Sequence, residues 1–158
     1  MGGDFEVGAA DNIRTVAVLF REYAGSLGVD LSYQGFEAEL AGLPGAYAAP
    51  AGVLLVAYAS GGEALGCVAV RPLDHATCEM KRLHTRPAAR GAGVGRALVV
   101  AAIEAARAAG YWTMRLDTLP DMLAAQALYR SMGFEETPAY YDTPVAGTLF
   151  MRKMLTGP

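Results

Sequence analysis

The order of apolar and polar residues at the start of the chain predicts a short strand followed by two helices. Residues 4–8 fit a strand, and residues 12–27 repeat apolar side chains at helical spacing after Asp11, which we expect to be the N-cap. A second helix is predicted for residues 33–42. The apolar face of the longer helix comprises Ile13, Val16, Ala17, Phe20, Tyr23, Ala24 and Leu27.

The middle of the chain is typical of a sheet. Residues 53–59 and 65–73 are apolar runs separated by the turn-forming residues 60–63, which predicts an antiparallel hairpin, and residues 77–85 are the next predicted strand. In this strand a period of two places Cys78, Met80, Arg82 and His84 on one face and Thr77, Glu79, Lys81, Leu83 and Thr85 on the other. Neither face is apolar throughout, which indicates either a functional strand or a β-bulge that exchanges the faces part way along.

The pattern then changes to a long helix and another strand. Residues 94–109 keep their polar side chains in one stripe, and residues 112–119 form the strand that follows. Strand, helix and strand in this order imply a parallel, right-handed crossover.

The last part of the chain adds a helix and two strands. Asp121 is the expected N-cap of a helix that ends near Met132, and residues 134–137 and 148–155 are the final predicted strands. The whole pattern predicts an α/β fold, a mixed and mostly antiparallel sheet of about seven strands with about four helices on both faces.

Composition favours one globular domain. The 158 residues are 53% apolar and 18% charged, so residues 1–158 are expected to form a single domain with a sizeable core. No apolar run reaches the length of a membrane span, and residues 1–6 lack the features of a secretion signal, so we expect no membrane partner and a cytoplasmic location. Cys67 and Cys78 are expected to be buried free thiols rather than a disulfide or metal ligands.

The charge distribution narrows the class of ligand. A net charge of −3 argues against nucleic acid as a partner. The basic side chains nevertheless cluster, because Lys81, Arg82, Arg86, Arg90 and Arg96 lie within 16 positions. They are either a solvated strand end and loop, the interpretation we favour for Lys81 and Arg86, or a positive region that attracts a polyanionic cofactor.

A glycine-rich turn precedes the long helix within this basic cluster. Its sequence is Arg90-Gly91-Ala92-Gly93-Val94-Gly95-Arg96. Three glycines let the backbone approach a ligand closely, and the first N–H groups of a helix have no intrahelical partner, so the turn suits an anion such as a phosphate. The spacing is not that of a dinucleotide fingerprint or a P-loop, because position 96 is arginine and no Gly-Lys-Ser/Thr follows. The segment does match R-x-x-G-x-G.

On these residues the chain resembles the GNAT (GCN5-related N-acetyltransferase) family, whose central motif is Q/R-x-x-G-x-G/A between a strand and a helix. Residues 79–87 are similar to the family's fourth strand and the proline-containing turn after it. Ala125, Leu128-Tyr129 and Gly133-Phe134 are similar to the family's A-x-x-L-Y-x-x-x-G-F segment. The motifs occur in the family's order, and the resemblance covers roughly residues 52–155.

The resemblance implies acetyl-CoA as the cosubstrate and no metal. The pyrophosphate would lie on the amides of residues 91–96, and the backbone of residues 83–85 would hydrogen-bond the pantetheine arm almost as an added strand. The cofactor-binding residues implied in this way are Leu83, His84, Thr85, Arg90, Gly91, Ala92, Gly93, Val94, Gly95 and Arg96.

The resemblance also implies two catalytic residues. Tyr129 matches the family tyrosine that protonates the departing thiolate, and the alternative is a core tyrosine with a polar tip. Glu79 stands where histone-acetylating relatives carry a carboxylate that acts as base, usually through water, and the alternative is a strand glutamate paired with Lys81 or an arginine. Met122 departs from the family pattern, because many members have asparagine seven residues before this tyrosine.

Two functions follow from this reading. The first is an N-acetyltransferase that acts on a primary amine of a small molecule, peptide or protein. The second is a non-catalytic acyl-CoA-binding module that serves as a sensor or interaction surface. By resemblance, Tyr23, Tyr33 and Phe36 would contact the acceptor unless they are core residues, and the loop of Tyr140 and Tyr141 would form another wall. The identity of the acceptor is left open, and so is the oligomeric state, for which a homodimer is one possibility.

Overall fold

The computed structural model describes residues 4–155 of the chain. The strands are β1 (Phe5–Ala9), β2 (Val53–Ala59), β3 (Ala64–Pro72), β4 (Thr77–Thr85), β5 (Thr113–Thr118), β6 (Glu135–Thr137) and β7 (Leu149–Met154). The α-helices are α1 (Ile13–Gly25), α2 (Phe36–Ala41), α3 (Val94–Ala108) and α4 (Leu123–Ser131).

All seven strands belong to one sheet in the order β1-β2-β3-β4-β5-β7-β6. Each neighbouring pair is antiparallel except β4 and β5, which run parallel because α3 crosses over between them. The predicted α/β fold, with seven mostly antiparallel strands and four helices, is confirmed.

The helices bury the sheet from both sides. One core cluster joins the inward side chains of β3, β4 and β5 to α3, with Leu98, Val99 and Ala102 fully buried. The other joins α1 and α2 to the opposite face, where Leu19 and Phe20 are fully buried. Because apolar side chains are removed from water on both faces, the sheet is the middle layer of three.

The N-cap of α1 differs from the prediction by one residue. The cap is Asn12, whose side chain accepts a hydrogen bond from the amide of Arg14 at 2.7 Å. Asp11 instead accepts a hydrogen bond from the hydroxyl of Tyr58 on β2, also at 2.7 Å. The prediction of Asp11 was therefore wrong, because a contact to a neighbouring strand engages its carboxylate.

The second predicted helix is divided in the structure. Leu31–Gln34 form a 3-10 turn capped by Asp30, and α2 begins only at Phe36. The two are separated by Gly35, whose φ of 70° lies in the left-handed region that ends a helix. Leu31 and Phe36 are both buried, so the apolar pattern was read correctly even though the helix is not continuous.

The start of α4 also departs from the prediction. The N-cap position is Met122 and no side chain caps the helix, so the expectation that Asp121 would do so was wrong. Gln126 instead fixes this end of the helix, because its side-chain amide donates to the carbonyl of Leu119 at 2.9 Å.

The mixed pattern of β4 is caused by a β-bulge, as one of the two alternatives predicted. Cys67 and Ala69 of β3 face His84 and Lys81, so the register moves by one residue between them, and Arg82 has a φ of 64°. Cys78, Met80 and Leu83 therefore pack with the α3 core cluster, whereas Glu79, Lys81, Arg82 and His84 contact groups on the α1 side or in the loop before β7. The strict alternation predicted for this strand fails from Arg82 onward.

Two further sequence expectations concern single features. Cys67 and Cys78 are both buried and free, which confirms the prediction of unpaired thiols. Within residues 4–155, no helix is both long enough and apolar enough to cross a membrane.

Candidate active site between strands β4 and β5

The glycine-rich turn leads directly into α3 and leaves free space around its backbone. Gly91 and Gly93 have φ angles of 84° and 85°, which side chains other than glycine rarely adopt. Gly93 is the N-cap, and no side chain caps the helix. No heavy atom lies within 4 Å of the position where a Cβ would be added to either glycine. The turn therefore offers unpaired amide donors and room for a ligand.

The other side chains of this turn serve the fold or remain in solvent. Val94 is buried and Ala92 packs against the same core cluster. Arg96 donates hydrogen bonds to Ser131 Oγ and Met132 Sδ, both at 3.2 Å, and so connects α3 to the end of α4. Arg90 is exposed. Any ligand-binding capacity of the turn therefore belongs to its backbone, and the exposed Arg90 forms none of the ion pairs found among residues 4–155.

Strands β4 and β5 separate beside this turn. Their parallel pairing extends only from Thr77 opposite Thr113 to Glu79 opposite Arg115. The rest of β5 pairs with β7 alone, and the rest of β4 pairs with β3 alone. The backbone of residues 80–85 therefore presents an open strand edge, which is the part of the sheet that can accept an added extended chain. The predicted cofactor residues Leu83, His84 and Thr85 lie on this edge.

A cleft, part of it open to solvent, lies at the separation of the strands. Its walls come from α1, the 3-10 turn before α2, β4, β5 and α4. The lining residues are Tyr23, Leu27, Leu31, Tyr33, Gln34, Met80, Lys81, Arg82, Leu83, Asp117, Thr118, Leu119, Met122 and Tyr129.

Tyr129 lies at the wall of the cleft that α4 contributes. Its side chain is 6% exposed, and its ring packs edge-on against Phe134 with the centroids 5.8 Å apart. Burial raises the pKa of Tyr129, so its hydroxyl keeps its proton at neutral pH. The residue is therefore available as a proton donor, although a phenol with a raised pKa is a weak acid. The proton-donor role of Tyr129 stays a prediction.

The carboxylate of Glu79 accepts two short hydrogen bonds. Its carboxylate, 1% exposed, accepts a hydrogen bond from Arg71 Nε at 2.8 Å on one oxygen and from the Tyr140 hydroxyl at 2.6 Å on the other. It is not among the residues that line the cleft. This environment favours the alternative left open above, a strand glutamate paired with an arginine, and the arginine is Arg71. The role of Glu79 as base stays a prediction.

His84 is held by a second ionic group, formed by the partly exposed side chains of Glu22 and Arg86. Its Nε2 lies 3.3 Å from Glu22 Oε1, and the same carboxylate receives two hydrogen bonds from Arg86, at 2.8 and 3.0 Å. Burial lowers the pKa of His84 more than Glu22 raises it. These contacts connect α1 to the end of β4, so the side chains fix the strand whose backbone edge is open.

The acceptor contacts expected of Tyr23, Tyr33 and Phe36 stay a prediction. Tyr23 and Tyr33 line the cleft, whereas Phe36 is buried beneath Arg82, whose guanidinium carbon lies 5.2 Å from its ring centroid. Arg82 also donates two hydrogen bonds to Glu39 at 2.9 and 3.0 Å. This pair fastens α2 to the bulge of β4.

Asp117 is a cleft residue that the sequence analysis did not identify. It is half-buried on β5, and the hydroxyl of Tyr141 donates a hydrogen bond to one of its oxygens. Tyr141 in turn packs edge-on against Tyr140 and Phe150, so the loop before β7 closes over this side of the cleft. The available signal was the interruption of the apolar residues of β5 by Arg115 and Asp117 at a period of two.

The comparisons with known proteins agree with this geometry. The model of the acetyltransferase (GNAT) family matches residues 19–134. An uncharacterized N-acetyltransferase of Schizosaccharomyces pombe is 43% identical over 136 residues, which span 85% of this chain and 83% of that protein.

Two solved structures share the fold. An acetyltransferase of the GNAT family from Staphylococcus aureus superposes with a TM-score of 0.79 at 16% identity, covering 97% of this chain and all of that chain (100%). A structure from Salmonella typhimurium, a proposed acetyltransferase with its cofactor acetyl-CoA, gives a TM-score of 0.69 at 22% identity, covering 96% and 94%.

These matches define the class of protein first, an acyltransferase built on a split, mostly antiparallel sheet. The chain belongs to the acetyltransferase (GNAT) family. The predicted activity, N-acetyl transfer to an amine, is confirmed at this level, and the non-catalytic alternative is not favoured.

Proposed function

We propose that this chain transfers the acetyl group of acetyl-CoA to a primary amine that enters the cleft between β4 and β5. The observation that carries the proposal is the position of Tyr129 and the open edge of β4 at one cleft, with the glycine turn beside the end of that edge, where a Cβ at Gly95 would lie 3.5 Å from Thr85 Oγ1. The open space beside Gly91 and Gly93 fits a pyrophosphate, since a side chain at either position would occupy it.

The proposed acetyl-CoA site consists of two backbone segments. We assign the pyrophosphate to the amides of residues 91–96, with Arg90 as an additional positive charge, and the pantetheine arm to the backbone of residues 83–85. The bound cosubstrate supplies an acetyl thioester, which reacts with a neutral amine and leaves a thiolate.

Tyr129 is the proposed source of the proton for the thiolate. Its position in the cleft and its protonated state support this role. The amine must lose a proton before it reacts, and the sequence assigned that step to Glu79. Both Glu79 oxygens already accept hydrogen bonds, from Arg71 and from Tyr140, and Glu79 is not among the residues that line the cleft. A cytoplasmic location and a homodimer stay predictions.

Binding of coenzyme A tests the cofactor site without any knowledge of the acceptor. A ligand that binds only the folded state raises the free energy of unfolding, by about 2.7 kcal/mol when its concentration is 100 times Kd. We expect millimolar coenzyme A to raise the Tm in differential scanning fluorimetry. An unchanged melting curve would contradict the cofactor assignment.

An assay of turnover distinguishes an enzyme from a non-catalytic binding module. The assay follows release of free thiol from acetyl-CoA in the presence of a panel of primary amines. The proposal requires at least one amine to accelerate thiol release above the rate of hydrolysis and to yield the N-acetylated product by mass spectrometry. Tight coenzyme A binding with no transfer to any amine would restore the non-catalytic alternative.

A further inference from the structure

Two opposite charges face each other across the separation of β4 and β5. The parallel register ends with Glu79 opposite Arg115. Continued by two residues, it would bring Lys81 opposite Asp117 on the same face of the sheet. Both residues line the cleft. The strands have parted at this level, and no oxygen of Asp117 lies within 4.0 Å of the Lys81 ammonium.

Lys81 is buried without a carboxylate partner. Its side chain is 7% exposed, and its ammonium donates to the amide oxygen of Gln34 at 3.3 Å. None of the ion pairs among residues 4–155 includes it. A buried cation is costly unless an anion compensates it, and burial lowers the pKa of Lys81 although Glu79 and Asp117 raise it.

Arg82, the arginine that lines the cleft, and Arg71 and Arg86 nearby are each paired with a carboxylate. Arg71 is paired with Glu79, Arg82 with Glu39 and Arg86 with Glu22, at donor–acceptor distances of 2.8 to 2.9 Å. Lys81 is therefore the cation of the cleft that still lacks a carboxylate within the described chain.

Asp117 complements this cation from the other strand. One oxygen of Asp117 accepts the hydrogen bond from Tyr141, and the other has no side-chain donor among the hydrogen bonds of residues 4–155. A carboxylate held in this way can accept a hydrogen bond from an ammonium that enters the cleft.

We propose that the acceptor is a small amino acid-type compound, whose carboxylate binds Lys81 and whose amino group binds beside Asp117. This inference rests on the proposed function and specifies its substrate class. The requirement is a carboxylate a few bonds from the reacting amine, since the two anchors stand on neighbouring strands.

Matched pairs of acceptors test the carboxylate directly. We would compare glycine, phenylalanine, β-alanine and 4-aminobutyrate, each with its own carboxamide, and with phenethylamine as an amine without a carboxyl group. The amide withdraws electrons without the negative charge of a carboxylate, so its amine loses a proton more easily and is intrinsically the more available nucleophile. A preference for an acid over its amide therefore reports recognition by the protein.

The expected result is a kcat/KM for at least one acid that exceeds that of its carboxamide by about 10- to 100-fold, the range of a hydrogen bond to a charged group. Lys81→Met removes the charge and keeps an unbranched side chain of similar length. It should raise KM for the acid and reduce the ratio of acid to amide to near one.

Lys153→Met is the matched control, because Lys153 is a half-buried lysine on β7 outside the cleft and also has no carboxylate partner among the described residues. It should leave the ratio unchanged. The ratio of acid to amide is measured within one preparation, so partial loss of folded protein does not alter it. In the unmodified chain, this ratio tests the carboxylate requirement without any variant.

Three outcomes would overturn the inference. Carboxamides that react as well as every acid would remove the carboxylate requirement while leaving acetyl transfer intact. A Lys81→Met variant that loses kcat equally with acids and amides would give Lys81 a part in proton transfer rather than recognition. Absence of transfer to any amine would overturn the proposed function and this inference together.

Discussion

The two proposed binding surfaces consist of different kinds of chemical group. On the proposed cofactor surface, residues 90–96 form one continuous segment, and the groups proposed to bind the ligand are backbone amides at the start of α3. On the proposed acceptor surface, the groups are side chains from distant segments, among them Gln34, Lys81, Asp117 and Tyr141. The first surface depends on local conformation, and the second depends on the packing of α1, α2 and the loop before β7 against the sheet.

This difference has consequences for mutation. A backbone site tolerates most changes of side chain but not the loss of a left-handed glycine, because a Cβ at positive φ strains the turn. A site made of paired side chains fails when one partner is removed, because the other is left as an uncompensated buried charge. The following predictions test the contrast, beginning with the largest effect.

The largest effect is expected from Glu39→Gln on the acceptor side. Glu39 is 12% exposed and compensates Arg82, which is 2% exposed, so the substitution leaves a buried guanidinium without its counter-charge. We expect the free energy of unfolding to fall by about 3 kcal/mol, measured from urea denaturation.

Glu37→Gln on the same helix is the control for this substitution. Glu37 pairs with Arg21 at 3.5 Å, but the two side chains are 76% and 60% exposed. Its loss should change stability by less than about 0.5 kcal/mol. Equal effects at the two positions would mean that the Arg82–Glu39 pair does not hold α2 to the bulge.

Tyr129→Phe tests the one proposed catalytic side chain that lies between the two surfaces. The ring and its contact with Phe134 remain, so we expect the fold to persist and kcat to fall by about 10- to 1000-fold. The smaller end is favoured, because burial raises the pKa of Tyr129 and a thiolate can leave unassisted.

Tyr111→Phe provides the comparison for this prediction. Tyr111 is a buried tyrosine that does not line the cleft, and its hydroxyl donates to the carbonyl of Ala51 at 2.7 Å. Its loss should lower the Tm and leave kcat unchanged. If Tyr129→Phe has the same kcat as the unmodified chain, Tyr129 is a core residue only.

Gly93→Ala tests the cofactor side. A methyl group at this φ of 85° strains the turn and projects into the free space assigned to the pyrophosphate, so Kd for coenzyme A should rise about tenfold, equivalent to about 1.4 kcal/mol. Isothermal titration calorimetry would measure it.

Gly62→Ala separates strain from binding. Gly62 lies in the hairpin between β2 and β3 with a φ of 90° and equally open surroundings. Both variants should lose a similar stability, about 1 kcal/mol, but only Gly93→Ala should weaken coenzyme A. Unchanged affinity in Gly93→Ala would remove the turn from the cofactor site.

The smallest effect on turnover is expected from Glu79→Gln. Because Arg71 and Tyr140 engage both oxygens, we expect kcat/KM at the pH optimum to fall less than about threefold and the acidic limb of its pH profile to stay in place. A fall of about two orders of magnitude with a displaced limb would establish Glu79 as the base after all.

The sequence predicted the features that depend on neighbouring residues. The glycine turn, the crossover from β4 through α3 to β5, and the seven strands were all recognised, because strand alternation, helical spacing and positive-φ glycines are local properties. The sequence also raised the bulge in β4 as one of two explanations for a strand with no apolar face. Family motifs lie in these same local segments.

Tertiary structure decided which partner each charged side chain finds. Asp11 was expected to cap α1, but packing brings it to Tyr58. Glu79 is engaged by Arg71 and Tyr140 rather than by Lys81, and Lys81 is buried without a carboxylate partner among residues 4–155. Such pairings join side chains from different segments of the chain, and burial determines how much each pairing contributes to the free energy of folding. They emerge only when the sheet, its bulge and the covering segments are assembled, because an ion pair requires a particular distance and a shared exclusion of water.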